Sequence, residues 1–293
     1  MYDYRTYQPK TLSELIDQAR RAEAIGFDSV WVMDHVFIQR ASGRVQAHDP
    51  MVSLAGVVAA TSRIAVGSLV LSYAFRHVVQ LAREASALAD SSSGRFILGL
   101  GTGWHRSEFE ALGLPFDHRV GRLESALAPL QTLLRGERVS SESRWLRLTD
   151  ASIAVTSSPP PIWISAEGPR MLALAALSDG WNHAYWGGED TTRFRTAVVA
   201  LHDAIDRAVR QRDDVETSAS IACVLDGWDE VPGGFREPDI AVGSADDLAR
   251  TIRDYADAGA DHVILSLSPD PYAEVDAGAL EKSRAILDIV EKM

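Results

Sequence analysis

Ala22-Glu23-Ala24-Ile25-Gly26-Phe27-Asp28-Ser29-Val30-Trp31-Val32-Met33-Asp34-His35 reads as a helix end, a glycine stop, a buried strand and a polar pair at the strand's tip. Upstream, Thr11 and Glu14 have capping-box spacing, and Leu12, Leu15, Ile16 and Ala19 follow at helical intervals. Gly26 ends that helix because it tolerates positive φ. The same unit recurs near the other end as Ala256-Asp257-Ala258-Gly259-Ala260-Asp261-His262-Val263, and more loosely as Leu177-Ser178-Asp179-Gly180-Trp181. A repeated order of helix, glycine, aspartate and apolar strand implies a parallel sheet covered by helices.

Working outward, helices are expected at Pro50–Ala60, Val78–Ala89, Arg119–Leu134, Pro169–Leu177, Thr192–Arg210, Ala245–Ala258 and Ala277–Val290. Strands are expected at Ile64–Leu71, Phe96–Leu100, Ile162–Ser165, Trp181–Ala184, Ser220–Leu225 and Val263–Leu267. The fold class is α/β, and at 293 residues a (β/α)8 barrel forming a single domain over residues 1–293 leads. Its first strand is poorly represented or truncated, since Met1 to Gln8 is too polar for a buried barrel strand. Residues 136–161 and 226–243 are irregular excursions, and the second, following a strand, is a candidate lid.

Composition narrows the function. With 29 basic against 41 acidic residues the net charge is −12, so a phosphate backbone is repelled and nucleic acid is not an expected partner. No apolar run is long enough to span a membrane and no secretory signal opens the chain, so a cytoplasmic location is expected. One cysteine, Cys223, cannot form an internal disulfide or a thiolate cage, and no metal motif is present. Only three basic residues are lysine, which fits a GC-rich coding bias.

Four segments lie just after strands, where a barrel builds its site. Asp34-His35 offers a histidine for proton transfer, or a polar pair bonding to backbone. Leu71-Ser72-Tyr73-Ala74-Phe75-Arg76-His77 offers a hydroxyl and two rings, for ligand stacking or for packing at the barrel mouth. Gly99-Leu100-Gly101-Thr102-Gly103-Trp104-His105-Arg106-Ser107-Glu108 has alternate glycines that permit close approach of a ligand and a tryptophan with a large flat face. It departs from the dinucleotide fingerprint, whose third glycine falls one residue later. Ile164-Ser165-Ala166-Glu167-Gly168-Pro169-Arg170 reads as a phosphate cradle at a helix start or as ordinary capping, with Glu167 opposing an anion.

In this order the segments resemble the bacterial luciferase-like family of flavin and deazaflavin oxidoreductases. The resemblance is carried by Ala22–His35, by Ala59-Ala60-Thr61-Ser62-Arg63-Ile64-Ala65-Val66-Gly67 and by Ser93-Gly94-Arg95-Phe96-Ile97-Leu98-Gly99-Leu100-Gly101-Thr102-Gly103-Trp104. Pro160-Pro161-Ile162-Trp163-Ile164 and Asp179-Gly180-Trp181-Asn182 extend it. It implies a barrel that binds FMN or the deazaflavin coenzyme F420 at the C-terminal ends of its strands. Residue by residue, it implies His35 as the catalytic group over the reactive ring and Asp34, Ser72 and Tyr73 as ring contacts. Thr102, Gly103, Trp104 and Ser107 would follow the ring and ribityl chain, and Ala166, Glu167 and Gly168, with Arg170, would take the phosphate. A non-prolyl cis peptide is implied at Leu71–Ser72 or Ser72–Tyr73.

The chain departs from the family where the phosphate loop is usually glycine-rich, and where Trp104 replaces the glutamate of deazaflavin-dependent sugar-phosphate dehydrogenases. The expected activity is hydride transfer between F420 and a small apolar or aromatic substrate, whose pocket would use Trp31, Tyr73, Phe75, Trp104 and Trp186. F420 is favoured because the long insertions of many FMN monooxygenases are missing and the coding bias fits organisms that make deazaflavin. A reduced-FMN monooxygenase is the alternative, and a catalytically silent flavin-binding barrel the second. The resemblance also implies a homodimer.

Overall fold

A computed structural model describes residues 10–40, 43–225, 240–267 and 277–292. Helix α1 (Leu12–Ile25) starts on the expected capping box, Thr11 with Glu14, and stops at Gly26, whose φ is 110°. Seven parallel strands follow one another around the sheet in chain order. They are β1 (Ser29–Val32), β2 (Ala65–Ser68), β3 (Phe96–Gly101), β4 (Ile162–Ala166), β5 (Gly180–Gly187), β6 (Glu216–Leu225) and β7 (His262–Ser266). The helices α2 (Pro50–Ala60), α3 (Val78–Ser91), α4 (Arg106–Ala111), α5 (Arg119–Leu134), α6 (Pro169–Ala175), α7 (Thr192–Arg207), α8 (Ala245–Asp257), α9 (Ala277–Lys282) and α10 (Arg284–Val290) lie between and after them. This is the α/β barrel architecture, and its site lies at the C-terminal strand ends.

The repeated aspartate has a physical reason. Asp179 accepts the Ile162 amide through its carboxylate at 2.8 Å, and Asp261 accepts the Thr217 amide at 2.9 Å. Each acid thus caps an amide at the start of a neighbouring strand, where the ladder has no partner to give. Two of the family-like stretches act at the same end of the barrel. One Glu23 oxygen accepts the amides of Ser62, Arg63 and Ile64 at 2.8, 2.6 and 3.0 Å. Arg95 donates to the carbonyls of Val58, Thr61 and Ile64, closing the C-terminus of α2. These contacts hold the face of the barrel away from the site.

Inside the barrel, Trp31 and Trp163 pack with ring centroids 5.1 Å apart, and His262 meets both edge-on. Outside it, Leu54, Leu81, Leu98, Leu123 and Leu130 are wholly buried between strands and helices. Cys223 on β6 is also buried; its thiol contacts the Ser266 carbonyl at 3.4 Å, and burial pushes its pKa up to about 12.

Several expectations need correction. The strand expected at Ile64–Leu71 is interrupted after Ser68, and a short piece, Leu71–Ser72, pairs again with Leu100 and Gly101. Between them the Leu69–Val70 peptide is cis, earlier in the chain than expected. At the interruption the Ser68 hydroxyl donates to the Gly99 carbonyl at 2.8 Å and accepts the Gly99 amide at 2.9 Å, taking the place of ladder bonds. The last helix is divided at Ser283, whose hydroxyl bonds back to the Leu280 carbonyl at 2.5 Å. Residues 136–161 contain an antiparallel hairpin, Val139–Glu142 with Arg147–Ala151. A further hairpin, Phe37–Arg40 with Gly43–Gln46, follows His35 and was not anticipated. The expected first strand falls on residues 1–9, outside the described residues, as does most of the candidate lid, 226–239. Among the described residues β1 and β7 share no ladder, but the Ser29 hydroxyl and His262 Nε2 meet at 2.8 Å across that edge.

The Glu23 carboxyl is held down at about 2, chiefly by the Arg63 amide. A pKa below the unfolded value stabilises the fold above pH 4.5, and that contribution disappears as pH falls toward 2. Acid titration of thermal stability should therefore be shallower between those limits for Glu23→Gln than for the parent chain.

Candidate active site

A cleft of about 440 Å³ opens at the C-terminal ends of the strands. Two buried carboxylates shape its rim. Asp34, just past β1, accepts the Ser72 amide at 2.9 Å and pairs with Arg76 at 2.5 Å. This ties the tip of β1 to the segment after Leu71–Ser72. Glu108, on α4, is 3% exposed and reaches back to the same stretch. It accepts the Val36 amide at 2.6 Å and the Phe37 amide at 3.4 Å, and both its oxygens lie 3.2 Å from His35 Nδ1. Burial alone would raise the Glu108 carboxyl, but His35 and the two amides outweigh it, and its pKa lies below the usual range.

The ring-sized part of the cleft lies between His35, Ser72 and the glycine edge of β3. Ser72 Oγ is buried and has no hydrogen-bond partner. A buried hydroxyl left this way loses its hydration, so it marks a place for a polar ligand atom. Gly103, at φ 73°, packs closely against it: a Cβ there would stand 2.6 Å from Ser72 Oγ and 2.9 Å from the Phe109 ring. Trp104 is 60% exposed at the rim and meets the His35 ring edge-on at 5.9 Å. Opposite, Ser165, Asn182, His183 and Ser220 make a polar wall, in which Asn182 Nδ2 donates to Ser218 at 2.9 Å and Ser220 at 3.2 Å. An unsatisfied hydroxyl, a glycine cradle and an aromatic rim fit a flat heteroaromatic ring with polar edges.

Of the sequence-derived residues, Asp34, His35, Ser72, Thr102, Gly103 and Trp104 line this cleft together. The others do not. Tyr73 turns into the core, where burial raises its hydroxyl to about 12. Ser107 bonds His105 Nε2 at 3.1 Å. Ala166 is buried, with its carbonyl accepting Trp181 Nε1 at 2.9 Å. Glu167 pairs with Arg193, Gly168 precedes α6, and Arg170 pairs with Glu124. Of the aromatic pocket, Phe75 and Trp104 line the cleft, while Trp31 lies in the barrel interior and the Trp186 side chain is outside the described residues. Sequence reasoning missed Glu108, Arg76, Ser165, Asn182 and Ser220. The last three are polar residues inside apolar strands, a signal that was legible; the partnership of Glu108 with a residue 73 positions away was not.

His35, His105 and Glu108 bring ligand-type atoms within 4.8 Å of one another. The hydrogen bonds to Glu108 account for that gathering without an ion.

The model for the luciferase-like monooxygenase family matches residues 3–231, and the chain belongs to that family. It is 34% identical over 213 residues to an F420-dependent glucose-6-phosphate dehydrogenase of Nakamurella multipartita, covering 70% of this chain and 61% of that protein. The chain thus spans about three fifths of that relative's length. In fold it is similar to an F420-dependent secondary alcohol dehydrogenase in complex with an F420–acetone adduct, at a TM-score of 0.82 and 17% identity, with 96% of each chain covered. It is also similar to a long-chain alkane monooxygenase, at a TM-score of 0.78 and 15% identity, covering 96% of this chain and 84% of that one.

Removing one member of the Asp34–Arg76 pair leaves the other charge buried. Asp34→Ala should lower stability by about 3–5 kcal/mol in urea unfolding, and Asp34→Leu with Arg76→Met should restore part of it.

Proposed function

We propose that this chain is an oxidoreductase that holds a deazaflavin of the F420 type in the 440 Å³ cleft and acts on a small apolar or aromatic substrate. The observation that carries the reading is the buried, unpartnered Ser72 hydroxyl in a cleft whose lining it shares with the closely packed Gly103. The F420-dependent relative supports the choice of cofactor. When bound, the deazaflavin supplies a ring carbon that accepts or returns hydride. The chain's own residues do the rest. Ser72 bonds the ring edge, Trp104 and Phe75 cover the substrate side and exclude water, and His35 exchanges a proton with the substrate. Trp104 in place of an acid disfavours a sugar phosphate.

Positive charge beside the cleft suits a phosphate-bearing cofactor, even in a chain of net charge −12. Phe75 packs on Phe109 and Phe109 on Phe116, whose ring carries the guanidinium groups of Arg106 at 4.2 Å and Arg119 at 3.4 Å. The Nε atoms of Arg119 and Arg122 are buried without an acceptor. In this reading the arginines, rather than Ala166–Gly168, receive the anionic end.

The family's description as monooxygenases favours a second reading, reduced FMN with oxygen as co-substrate. We also take the protein to work as a cytoplasmic homodimer; among the described residues no helix is long and apolar enough to cross a membrane.

Fluorescence titrations with F420 and with FMN separate the cofactors. Micromolar binding of F420 alone is the expected result. Binding of FMN alone, with oxygen consumed when reduced FMN and substrate are supplied, selects the second reading, and binding of neither defeats both. Gly103→Ala should abolish binding of the preferred cofactor, because its methyl group displaces the Ser72 hydroxyl and the Phe109 ring. Arg122→Gln should weaken binding of F420 at least tenfold while leaving that of its phosphate-free deazaflavin core unchanged.

A further inference from the structure

We infer that Glu108 is the positioning residue of the site: it holds the His35 proton on Nδ1 and thereby makes Nε2 the nitrogen that works in the cleft.

The argument begins with cost. A carboxylate 3% exposed is expensive to bury unless its lone pairs are used. Here they are, by three donors from one short stretch of chain: His35 Nδ1, the Val36 amide and the Phe37 amide. An ionised carboxylate only accepts hydrogen bonds. Glu108 lies below the usual carboxylate range, so the imidazole nitrogen facing both its oxygens at 3.2 Å is the one that carries hydrogen. In a neutral imidazole the other nitrogen, Nε2, then holds the lone pair. The neighbouring titratable groups His105 and Asp34 act in the same sense or are engaged elsewhere. His105 Nδ1 approaches Glu108 Oε2 at 3.6 Å and acts on the same carboxylate, while the neighbouring Asp34 is committed to Arg76 and the Ser72 amide.

The arrangement has two separable roles. Through the amides Glu108 anchors the turn after β1, and through the imidazole it sets a tautomer. A purely anchoring residue would leave the tautomer to chance. The use of Nε2 as acceptor for a substrate proton rests on the proposed oxidoreductase reading; the tautomer does not.

Glu108→Gln separates the roles. The glutamine carbonyl can still take the Val36 amide, but its NH2 group then faces the imidazole and drives the His35 proton to Nε2. The test is long-range 1H–15N NMR of the histidine side chains in the cofactor-free protein, at a pH where the rings are neutral. The expected result is an Nδ1–H tautomer for His35 in the parent chain and an Nε2–H tautomer in Glu108→Gln. An Nε2–H tautomer in the parent chain overturns the inference even if the variant does not fold, and so does an unchanged tautomer in a folded variant. With the cofactor that the titrations identify, Glu108→Gln should lower kcat roughly 100-fold with KM and cofactor affinity within twofold of the parent. A variant whose kcat is unchanged overturns the catalytic part. If no cofactor binds the parent chain, the oxidoreductase reading falls and the NMR result still decides the role of Glu108.

Discussion

The barrel interior is organised by two tryptophans that need glycine beside them. Trp31 on β1 lies over Gly67 of β2, where a Cβ would come within 2.3 Å of the ring, and Trp163 on β4 lies over Gly180 of β5, where it would come within 2.4 Å. Large beside small lets each ring lie across its neighbouring strand without forcing the two apart. Because the two rings also touch each other, opposite parts of the wall are set at one height. The strand ends above them then rise to a common level, which is how Asp34, Ser165 and Asn182 come to line one cleft.

Above that plug, the chain after β1 is pinned from two sides by acids with different partners. Asp34 pulls it toward Arg76 and the Ser72 amide, while Glu108 pulls Val36 and Phe37 toward α4. His35 stands between the two anchors. Each acid is paired or hydrogen-bonded, so the rim is held by charge-assisted bonds instead of by packing. Local precision of this kind is what a site that aligns a ring with a substrate requires.

Much of this architecture was legible because it is local. The capping box at Thr11, the stop at Gly26 and the helices Pro50–Ala60 and Arg119–Leu134 fall where their spacing puts them. So do six of the cleft residues, since residues that follow strands must gather at one end of a parallel barrel. What escaped was set by partners far along the chain. The break after Ser68 depends on Gly99, and the burial of Glu108 depends on His35. The residues from Ala166 to Arg170 carry the pattern of an anion cradle, and what the pattern does not carry is the pairing of Glu167 with Arg193 and of Arg170 with Glu124. Pattern alone does not disclose such pairings.

Cys223 is the chain's single cysteine, packed against the Ser266 carbonyl with its thiol raised to about 12. Alkylating reagents attack the thiolate, which is scarce at such a value and shielded by the barrel wall. To maleimides and methanethiosulfonates the native surface is therefore silent. A cysteine introduced at Trp104 would be the one modifiable position on the molecule, and a spin label or fluorophore placed there would report on the cleft rim with no background to subtract.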